Sequence, residues 1–291
     1  MQTLIKRNYS YGMLLPGLLL FVIFFVLPSI ASFYYAFTNW SGVGNFHWIG
    51  WDNFRSLMDS DDASIAFRNT FLFTFLTTIV KVVLGLALAL FVNQKLKTAV
   101  YLRSMLFFPA ILSSIAVALA FTAIYHPEQG IINQALRFVH LESWTQNWIT
   151  DRQLVMYSVS FVEIWKWTGF HMVLFLAGLQ TISHDMYESS TIDGANKWKQ
   201  LRYITLPLLR SVINANIMFC IIGGLKVFDI VYGLTGGGPG NASAVLNTVI
   251  FKNFAQGRYG EATAANVILF LIIVFIVLVL NKLLGNREEE G

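Results

Sequence analysis

Six long apolar runs restrict the fold of this chain more than any other feature of its sequence. A helix that crosses a bilayer needs about 20 consecutive, mostly apolar residues, and each of these runs supplies that length. The sequence therefore predicts an all-α integral membrane helical bundle with six transmembrane helices, at residues 11–37, 70–92, 104–125, 154–181, 211–232 and 262–284.

The balance of side chains excludes other classes of protein. Of the 291 residues, 56% are hydrophobic and 12% are charged, whereas a typical soluble domain has about 25% charged residues. Lys and Arg are spread along the chain beside the apolar runs, which indicates membrane orientation and not a nucleic-acid-binding patch. Lys6 and Arg7 precede the first run as in a signal peptide, but the run exceeds the about 7–15 residues of such a segment. We expect a retained helix.

The distribution of basic residues predicts how the chain is oriented. Cytoplasmic loops of membrane proteins carry an excess of Lys and Arg. With the N-terminus inside, the inside segments hold Lys6, Arg7, Lys95, Lys97, Arg103, Lys197, Lys199, Arg202, Arg210, Lys282 and Arg287. The outside segments are longer in total but hold only Arg55, Arg68, Arg137, Arg152, Lys252 and Arg258. We therefore expect a multi-pass protein of the cell (inner, cytoplasmic) membrane with both termini in the cytoplasm.

The segment between the fourth and fifth runs, residues 183–210, is amphipathic rather than apolar. Its pattern predicts one helix over 186–195 and a second over 197–204, with Pro207 at the entry to the fifth span. Gly194 would mark a turn, because glycine within a helix costs about 1 kcal/mol relative to alanine. The residues alone leave two functions open: a surface helix held to lipid headgroups by its basic residues, or a docking element.

A resemblance favours the docking element. The segment resembles the "EAA" loop of ATP-binding-cassette (ABC) importer permeases, at Glu188, Ser189, Ser190, Asp193, Gly194, Ala195, Ile204, Leu206 and Pro207. Two serines replace the usual alanines, and Leu201 replaces the usual aromatic residue. The resemblance implies that residues 183–210, here called the coupling loop, form a coupling helix that fits a cleft of a cytoplasmic ATPase. It also implies that Glu188 pairs with a basic group there and that Gly194 permits a tight turn.

Two further stretches are similar to the maltose-type, carbohydrate-uptake branch of this family, at residues 163–182 and 228–243. The resemblance implies a type I ABC importer fold and a minimal six-span form. It implies as partners a second homologous permease, two ATP-binding subunits and an extracytoplasmic solute-binding protein. No cofactor is expected on this chain, since ATP and Mg would be bound by the ATPase.

Polar groups inside the predicted spans are the candidates for a substrate path, because ionisable residues in lipid are costly and usually mark a pathway or pair with one another. In the fourth span, a sugar site and a Glu163–Lys166 ion pair are alternative explanations. In the fifth, the spacing fits either a ligand or close helix packing, and Cys220 alone is most simply a small core residue. Lys226 and Asp229, spaced i, i+3, are interpreted as neutralising each other. Lys81 is the weakest candidate, with pairing to an acid on a neighbouring helix and contact with the partner subunit as its alternative explanations. The substrate-path candidates are Glu163, Lys166, Trp167, Phe170, Cys220, Gly223, Gly224 and Val227.

The chain carries no recognisable catalytic or metal motif, such as G-x-x-x-x-G-K-[ST] or H-E-x-x-H. We therefore expect a transport subunit, not an enzyme, with residues 1–291 as one permease domain: an N-terminal span at 11–37, a core at 70–284 and the coupling loop. Its substrate would be a mono-, di- or oligosaccharide. The alternatives are a permease for glycerol phosphate or a polyol, a stand-alone ion-coupled transporter, and a membrane-embedded enzyme. The sequence assigns no role to the glycine-rich external loop 236–240, which we expect to be flexible.

Overall fold

A computed structural model describes residues 11–94 and 97–285 of the chain. Lys6, Arg7, Lys95 and Arg287, which enter the orientation argument, lie outside the described residues. In the described part, the regular secondary structure is helical apart from one isolated antiparallel bridge between Thr38 and Trp48. The helices are α1 (Leu15–Tyr35), α2 (Asp52–Met58), α3 (Asp61–Val92), α4 (Ala99–Ile111), α5 (Ser114–Ile124), α6 (Ile131–Phe138), α7 (Val155–Gln180), α8 (His184–Ile192), α9 (Lys197–Leu208), α10 (Arg210–Leu225), α11 (Asp229–Thr235), α12 (Leu246–Ala255) and α13 (Tyr259–Gly285).

Every predicted span contains helical structure, although two of the spans are interrupted. Within the described residues, α1, α3 and α13 are each long and apolar enough to cross a membrane, and two bent helix pairs raise the number of such spans to five. The remaining predicted span is α7, whose 26 residues give about 39 Å of helix, more than the about 30 Å of a hydrocarbon core. It is more polar than the others because it carries Glu163, Lys166 and His171.

The third predicted span is broken, contrary to the continuous helix expected over 104–125. The axes of α4 and α5 meet at 96°. Pro109 lies inside α4, where it has no N–H to donate to the preceding turn. Leu112 and Ser113 then adopt extended backbone angles, with ψ of 146° and 131°.

The fifth predicted span is also broken, so the continuous helix expected over 211–232 is wrong. The helix α10 ends at Leu225, and α11 begins only at Asp229. Between them, Phe228 has φ −145° and ψ −60°, which is not a helical conformation. The expected i, i+3 relation of Lys226 to Asp229 along one helix therefore does not hold, and Val227 lies beyond the helix that carries Cys220.

Two prolines are accommodated by widened helical turns. The π-helical turn Val22–Val26 precedes Pro28, and the turn Leu201–Thr205 precedes Pro207. In each case the first residue after the turn donates to the carbonyl five residues earlier, Leu27 to Val22 and Leu206 to Leu201. A π turn relieves the clash of the proline ring with the carbonyl four residues back. The helix α1 therefore continues past Pro28, whereas α9 ends at Leu208, just after Pro207, and its axis meets that of α10 at 69°.

The described residues divide into two compact units. The first contains residues 11–60 and Ile250–Leu271. Its loop after α1 is held by Asn53, whose side-chain amide donates to the carbonyls of Ala36 (2.9 Å) and Thr38 (2.8 Å). Aromatic pairs such as Tyr35 with Trp40 stabilise the same loop.

The second unit contains Asp61–Val249 and residues 272–285, and α7 packs at its centre. Two glycines allow close helix approach. A methyl group at Gly85 of α3 would lie 3.1 Å from His171 Cβ, and one at Gly169 would lie 1.9 Å from the carbonyl oxygen of Leu106 in α4. Such small residues let backbones pack tightly in membrane bundles, and here they bring α3 and α4 against α7.

The loop 236–240 is tied down by hydrogen bonds, although the sequence predicted a flexible segment. The hydroxyl of Ser243 contacts that of Thr235 (2.8 Å) and donates to the carbonyl of Gly238 (2.6 Å). Arg152 donates to the carbonyl of Gly240 at 3.3 Å. The loop is therefore fixed to the segment that precedes α7.

Candidate functional site

A cleft of about 270 Å³ opens within the second unit. Helices α3, α5, α7, α10 and α11 contribute to its walls. The residues that line it are Lys81, Ser114, Glu163, Trp167, Phe170, His171, Phe219, Gly223, Lys226, Val227, Phe228, Asp229 and Ile230.

Both broken spans face this cleft. Ser114, the first residue of α5, follows one break, and residues 226–228 form the other. Irregular backbone at membrane depth is tolerated where it lines a cavity, because its free N–H and C=O groups need partners that lipid does not supply. The breaks therefore place hydrogen-bonding backbone on the cleft wall.

A buried ion pair lies at the wall. Lys81 Nζ is 3.4 Å from Glu163 Oε1, and the two side chains are 3% and 7% exposed. The pairing of Glu163 with Lys166, one of the two explanations offered for the fourth span, is not the one formed. Lys166 instead donates to the carbonyl of Ala110 at 3.3 Å and lies 4.1 Å from the centre of the Trp167 ring. Since Ala110 is in the last turn of α4, the ammonium group sits where a helix C-terminus favours positive charge.

Aromatic rings form much of the remaining wall. Trp167 and Phe170 meet edge to face with ring centres 5.9 Å apart. Next to them, His171 Nδ1 lies 2.9 Å from Asn216 Oδ1, and its Nε2 lies 3.3 Å from Cys220 Sγ. These contacts fix the imidazole ring against α10. The cleft thus combines rigid apolar faces with a few oriented polar groups, as ligand sites generally do.

The coupling loop forms a separate, surface-exposed helical hairpin. Its first helix, α8, begins after Ser183, whose hydroxyl accepts from the backbone N–H of Asp185 at 3.3 Å. It ends in a Schellman motif: Gly194 N–H donates to Thr191 O (3.1 Å), and Ala195 N–H donates to Ser190 O (2.9 Å). Gly194 has φ +80°, a conformation that glycine adopts without strain. The expected turn at Gly194 is therefore present.

Gln200 joins the two halves of the hairpin. Its buried side-chain amide is within donor distance of Tyr187 O (3.2 Å), Ser190 Oγ (3.0 Å) and Thr191 Oγ1 (2.9 Å). Tyr187 also bonds the hydroxyl of Thr205 at 3.0 Å. Gln200 belongs to α9 and its acceptors belong to α8, so its side chain braces the hairpin by linking the two helices.

The outer surface of the hairpin presents both charge and apolar area. Glu188 Oε1 lies 3.0 Å from His184 Nδ1 on the exposed side of α8. Ile192, the last residue of α8, is 88% exposed, and Trp198 on α9 is 67% exposed. Exposed apolar side chains of this size on a braced element are typical of an interaction surface.

Comparison with known sequences identifies the family. Residues 81–289 match the family described as "Binding-protein-dependent transport system inner membrane component". The chain belongs to this family. It is a permease subunit of an ABC importer, and hence a transport subunit embedded in a membrane by several helices rather than an enzyme.

Curated relatives match the permease over nearly its whole length. It is 33% identical over 287 residues to the multiple sugar-binding transport system permease protein MsmF of Streptococcus mutans, covering 98% of each chain. It is 31% identical to the probable ABC transporter permease protein YurN of Bacillus subtilis, covering 98% of this chain and 99% of the relative. It is 30% identical to the trehalose/maltose transport system permease protein MalF of Thermococcus litoralis, covering 98% and 96%.

Solved structures support the same assignment. The permease superposes with a TM-score of 0.87 and 27% identity on a chain of a bacterial ABC transporter involved in the import of the acidic polysaccharide alginate, covering 99% of both chains. A second match, with a TM-score of 0.84 and 26% identity, is to the alginate transporter in complex with a pentasaccharide-bound periplasmic protein, covering 97% and 96%. A solute-binding protein is thus a partner of a solved relative.

The cleft brings together most, but not all, of the residues that the sequence suggested for a substrate path. Glu163, Trp167, Phe170, Gly223 and Val227 line it. The predicted Lys166, Cys220 and Gly224 are buried beside it and are not among its lining residues. A methyl group at Gly224 would lie 2.9 Å from Thr74 Cα, so this glycine serves the close packing of α10 on α3.

Several functional candidates were missed or undervalued by sequence reasoning. Lys81 is the weakest candidate from sequence, and the structure shows the pairing with an acid that the sequence left open, with Glu163 as the partner. Ser114 and Phe228 were not considered, because both lie at the unanticipated helix breaks. Gln200 belongs to no sequence motif. Its contact with Ser190, 10 residues earlier, becomes visible only in the folded hairpin.

The described residues give no indication of a metal centre. No group of three or more His, Cys, Asp and Glu side chains among them is placed to hold a metal ion.

Proposed function

We propose that this permease forms half of the translocation path of an ATP-driven, binding-protein-dependent sugar importer, and that it is coupled to a cytoplasmic ATPase through residues 188–207. The observation that carries this proposal is the braced hairpin of the coupling loop, with an exposed outer surface in a chain of this family. The sugar is inferred from relatives named for sugar, trehalose/maltose and diacetylchitobiose uptake.

In this proposal the coupling loop is a rigid element that transmits movement from the ATPase to the membrane helices. Glu188, Ile192 and the outer side of α8 contact the ATPase, while Gln200 and Thr205 keep the hairpin from deforming under load. Gly194 sets the angle between α8 and α9. The remaining motif residues position these groups: Ser189, Ser190, Asp193, Ala195, Ile204, Leu206 and Pro207. Movement of the ATPase is then transmitted to α10, which follows α9 directly.

The cleft supplies this chain's share of the substrate path. Trp167 and Phe170 pack against the apolar C–H faces of a pyranose ring, and Glu163 accepts hydrogen bonds from its hydroxyls. Gly223 leaves open space, since a methyl group there would meet no atom within 4 Å. Lys166 and Cys220 act indirectly by holding the wall.

The full transporter contains more than this chain. A second homologous permease completes the path, two ATP-binding subunits carry ATP and Mg, and an extracytoplasmic protein delivers the sugar. The chain works as one transmembrane permease domain in the cell membrane, with both termini in the cytoplasm, as the excess of basic residues in its inside segments favours.

Reconstitution tests the proposal against an ion-coupled transporter and an enzyme. The permease is purified with its partner subunits and placed in proteoliposomes with the binding protein, whose sugar is first found by screening a panel. We expect sugar uptake that requires enclosed ATP and is lost when Gly194→Pro distorts the hairpin, while sugar still binds the solute-binding protein.

Lys199→Ala provides a matched control, because this exposed side chain lies on the same hairpin outside the motif. Uptake that follows an ion gradient without ATP, or chemical turnover of the sugar by the permease alone, would contradict the proposal.

A further inference from the structure

A second groove, of about 360 Å³, runs between α4 and α7 and shares no lining residue with the cleft. Its polar side chains come from the early turns of α4 and from the end of α7. Farther along, its wall is apolar. The residues used below are Arg103, Ser104, Phe107, Val173, Ala177 and Gln180.

Arg103 is incompletely satisfied in this groove. One guanidinium nitrogen, Nη2, donates to the carbonyl of Val92 at 3.4 Å, at the end of α3. Its Nε is buried and has no hydrogen-bond partner in the described structure. A buried donor without a partner is unfavourable, and a guanidinium group is suited to phosphate oxygens because its N–H groups form a planar fork.

The rest of the groove matches a chain of methylene groups. Phe107 of α4 and Val173 and Ala177 of α7 form its apolar wall, and Gln180 closes the polar end as the last residue of α7. A small soluble anion would leave this wall uncovered. An amphiphile with an anionic head and a hydrocarbon tail would cover the wall and place its head against the accessible part of the Arg103 side chain.

We propose that this groove binds one anionic phospholipid, with its phosphate at Arg103 and one acyl chain along Phe107, Val173 and Ala177. Basic pockets between transmembrane helices on the cytoplasmic side commonly bind such headgroups. The choice of leaflet rests on the orientation proposed above, whereas binding itself does not depend on transport. The groove ends three residues before Ser183, so the lipid lies at the base of the coupling loop.

Native mass spectrometry of the purified full chain tests this proposal. The protein is incubated with equal amounts of phosphatidylglycerol and phosphatidylcholine of the same chain length. We expect wild type to retain phosphatidylglycerol preferentially, and Arg103→Gln to reduce that preference about fivefold. Arg68→Gln, which removes the same charge from an exposed position on α3, leaves it unchanged.

A second variant separates loss of binding from loss of folding. Ala177→Trp fills the apolar wall from an exposed position and keeps Arg103, and thermal unfolding verifies that it folds. Reduced phosphatidylglycerol retention by Ala177→Trp supports the proposal even if Arg103→Gln does not fold. Equal retention of the two lipids, wild-type retention by Ala177→Trp, or displacement of the lipid by millimolar inorganic phosphate overturns it. Sugar uptake is not measured, so failure here leaves the transport proposal intact.

Discussion

At the scale of single residues, the buried Lys81–Glu163 pair dominates the energetics of the cleft. Both side chains are removed from water, and their charged atoms lie 3.4 Å apart. The attraction between the two charges therefore offsets much of the free-energy cost of burying each of them. Removing one partner of such a pair typically costs about 3–5 kcal/mol, whereas replacing both with neutral groups is often tolerated. A comparison of single and double substitutions can therefore measure the structural role of the pair independently of sugar binding.

We expect Lys81→Met to destabilise the permease strongly, because Glu163 is then buried without a cation. Lys81→Met combined with Glu163→Gln should recover most of the loss. Thermal unfolding in detergent measures both variants, with exposed Arg68→Met as the control. A double variant as unstable as the sum of its single variants would show that the two charges do not act as a pair.

Trp167 offers the most direct test of the cleft as a sugar path. Trp167→Ala removes an aromatic face, and we expect the rate of ATP-dependent sugar uptake to fall about tenfold, the factor that about 1.4 kcal/mol represents. Assembly with the ATPase should not change. Phe161→Ala, at an exposed position outside the cleft lining, is the matched control. Equal uptake by the two variants would remove Trp167 from the path.

At the scale of elements, hydropathy predicted where helices lie but not where they break. An average over about 20 residues identifies a span, yet the break after Ile111 follows from Pro109 and two extended residues. The break after Leu225 follows Gly223 and Gly224, two residues with a weak helix preference. Both glycines were instead interpreted from the sequence as positions along one continuous helix. Lys81 lies 82 positions from Glu163, so the identity of its acidic partner could not be predicted without the fold. The turn of the coupling loop was predicted because it depends on a local signal, Gly194, although the helix before it ends at Ile192 and not at the expected Ala195.

Gln200 is expected to control the rigidity of the coupling loop. Gln200→Leu removes contacts to three acceptors in α8, and each lost hydrogen bond costs about 0.5–1.5 kcal/mol. Amide hydrogen exchange across α8 should therefore quicken, while exchange in α7 stays unchanged. Lys199→Leu, the neighbouring exposed position, serves as the control. Unchanged protection of α8 would show that the hairpin is held by something other than Gln200.

At the scale of the whole molecule, the proposed orientation places the coupling loop and the segment around Glu142 on opposite sides of the membrane. The chain has one native cysteine, Cys220, which is buried and should not label. We expect a cysteine introduced at Ser189 to react with a membrane-impermeant maleimide only when the cytoplasmic side is accessible, and one at Glu142 only from outside. Labelling of both from the same side would contradict the proposed topology.

The central claim is that the outer surface of α8 contacts a separate ATPase. A photo-reactive amino acid placed at Ile192, which is 88% exposed, tests it in membranes containing the assembled transporter, with Trp144 on the predicted outside as the control position. We predict an adduct between Ile192 and the ATPase subunit, and none from Trp144. An adduct of Ile192 with lipid alone, or no ATPase adduct in a transporter that still takes up sugar with ATP, would contradict the account.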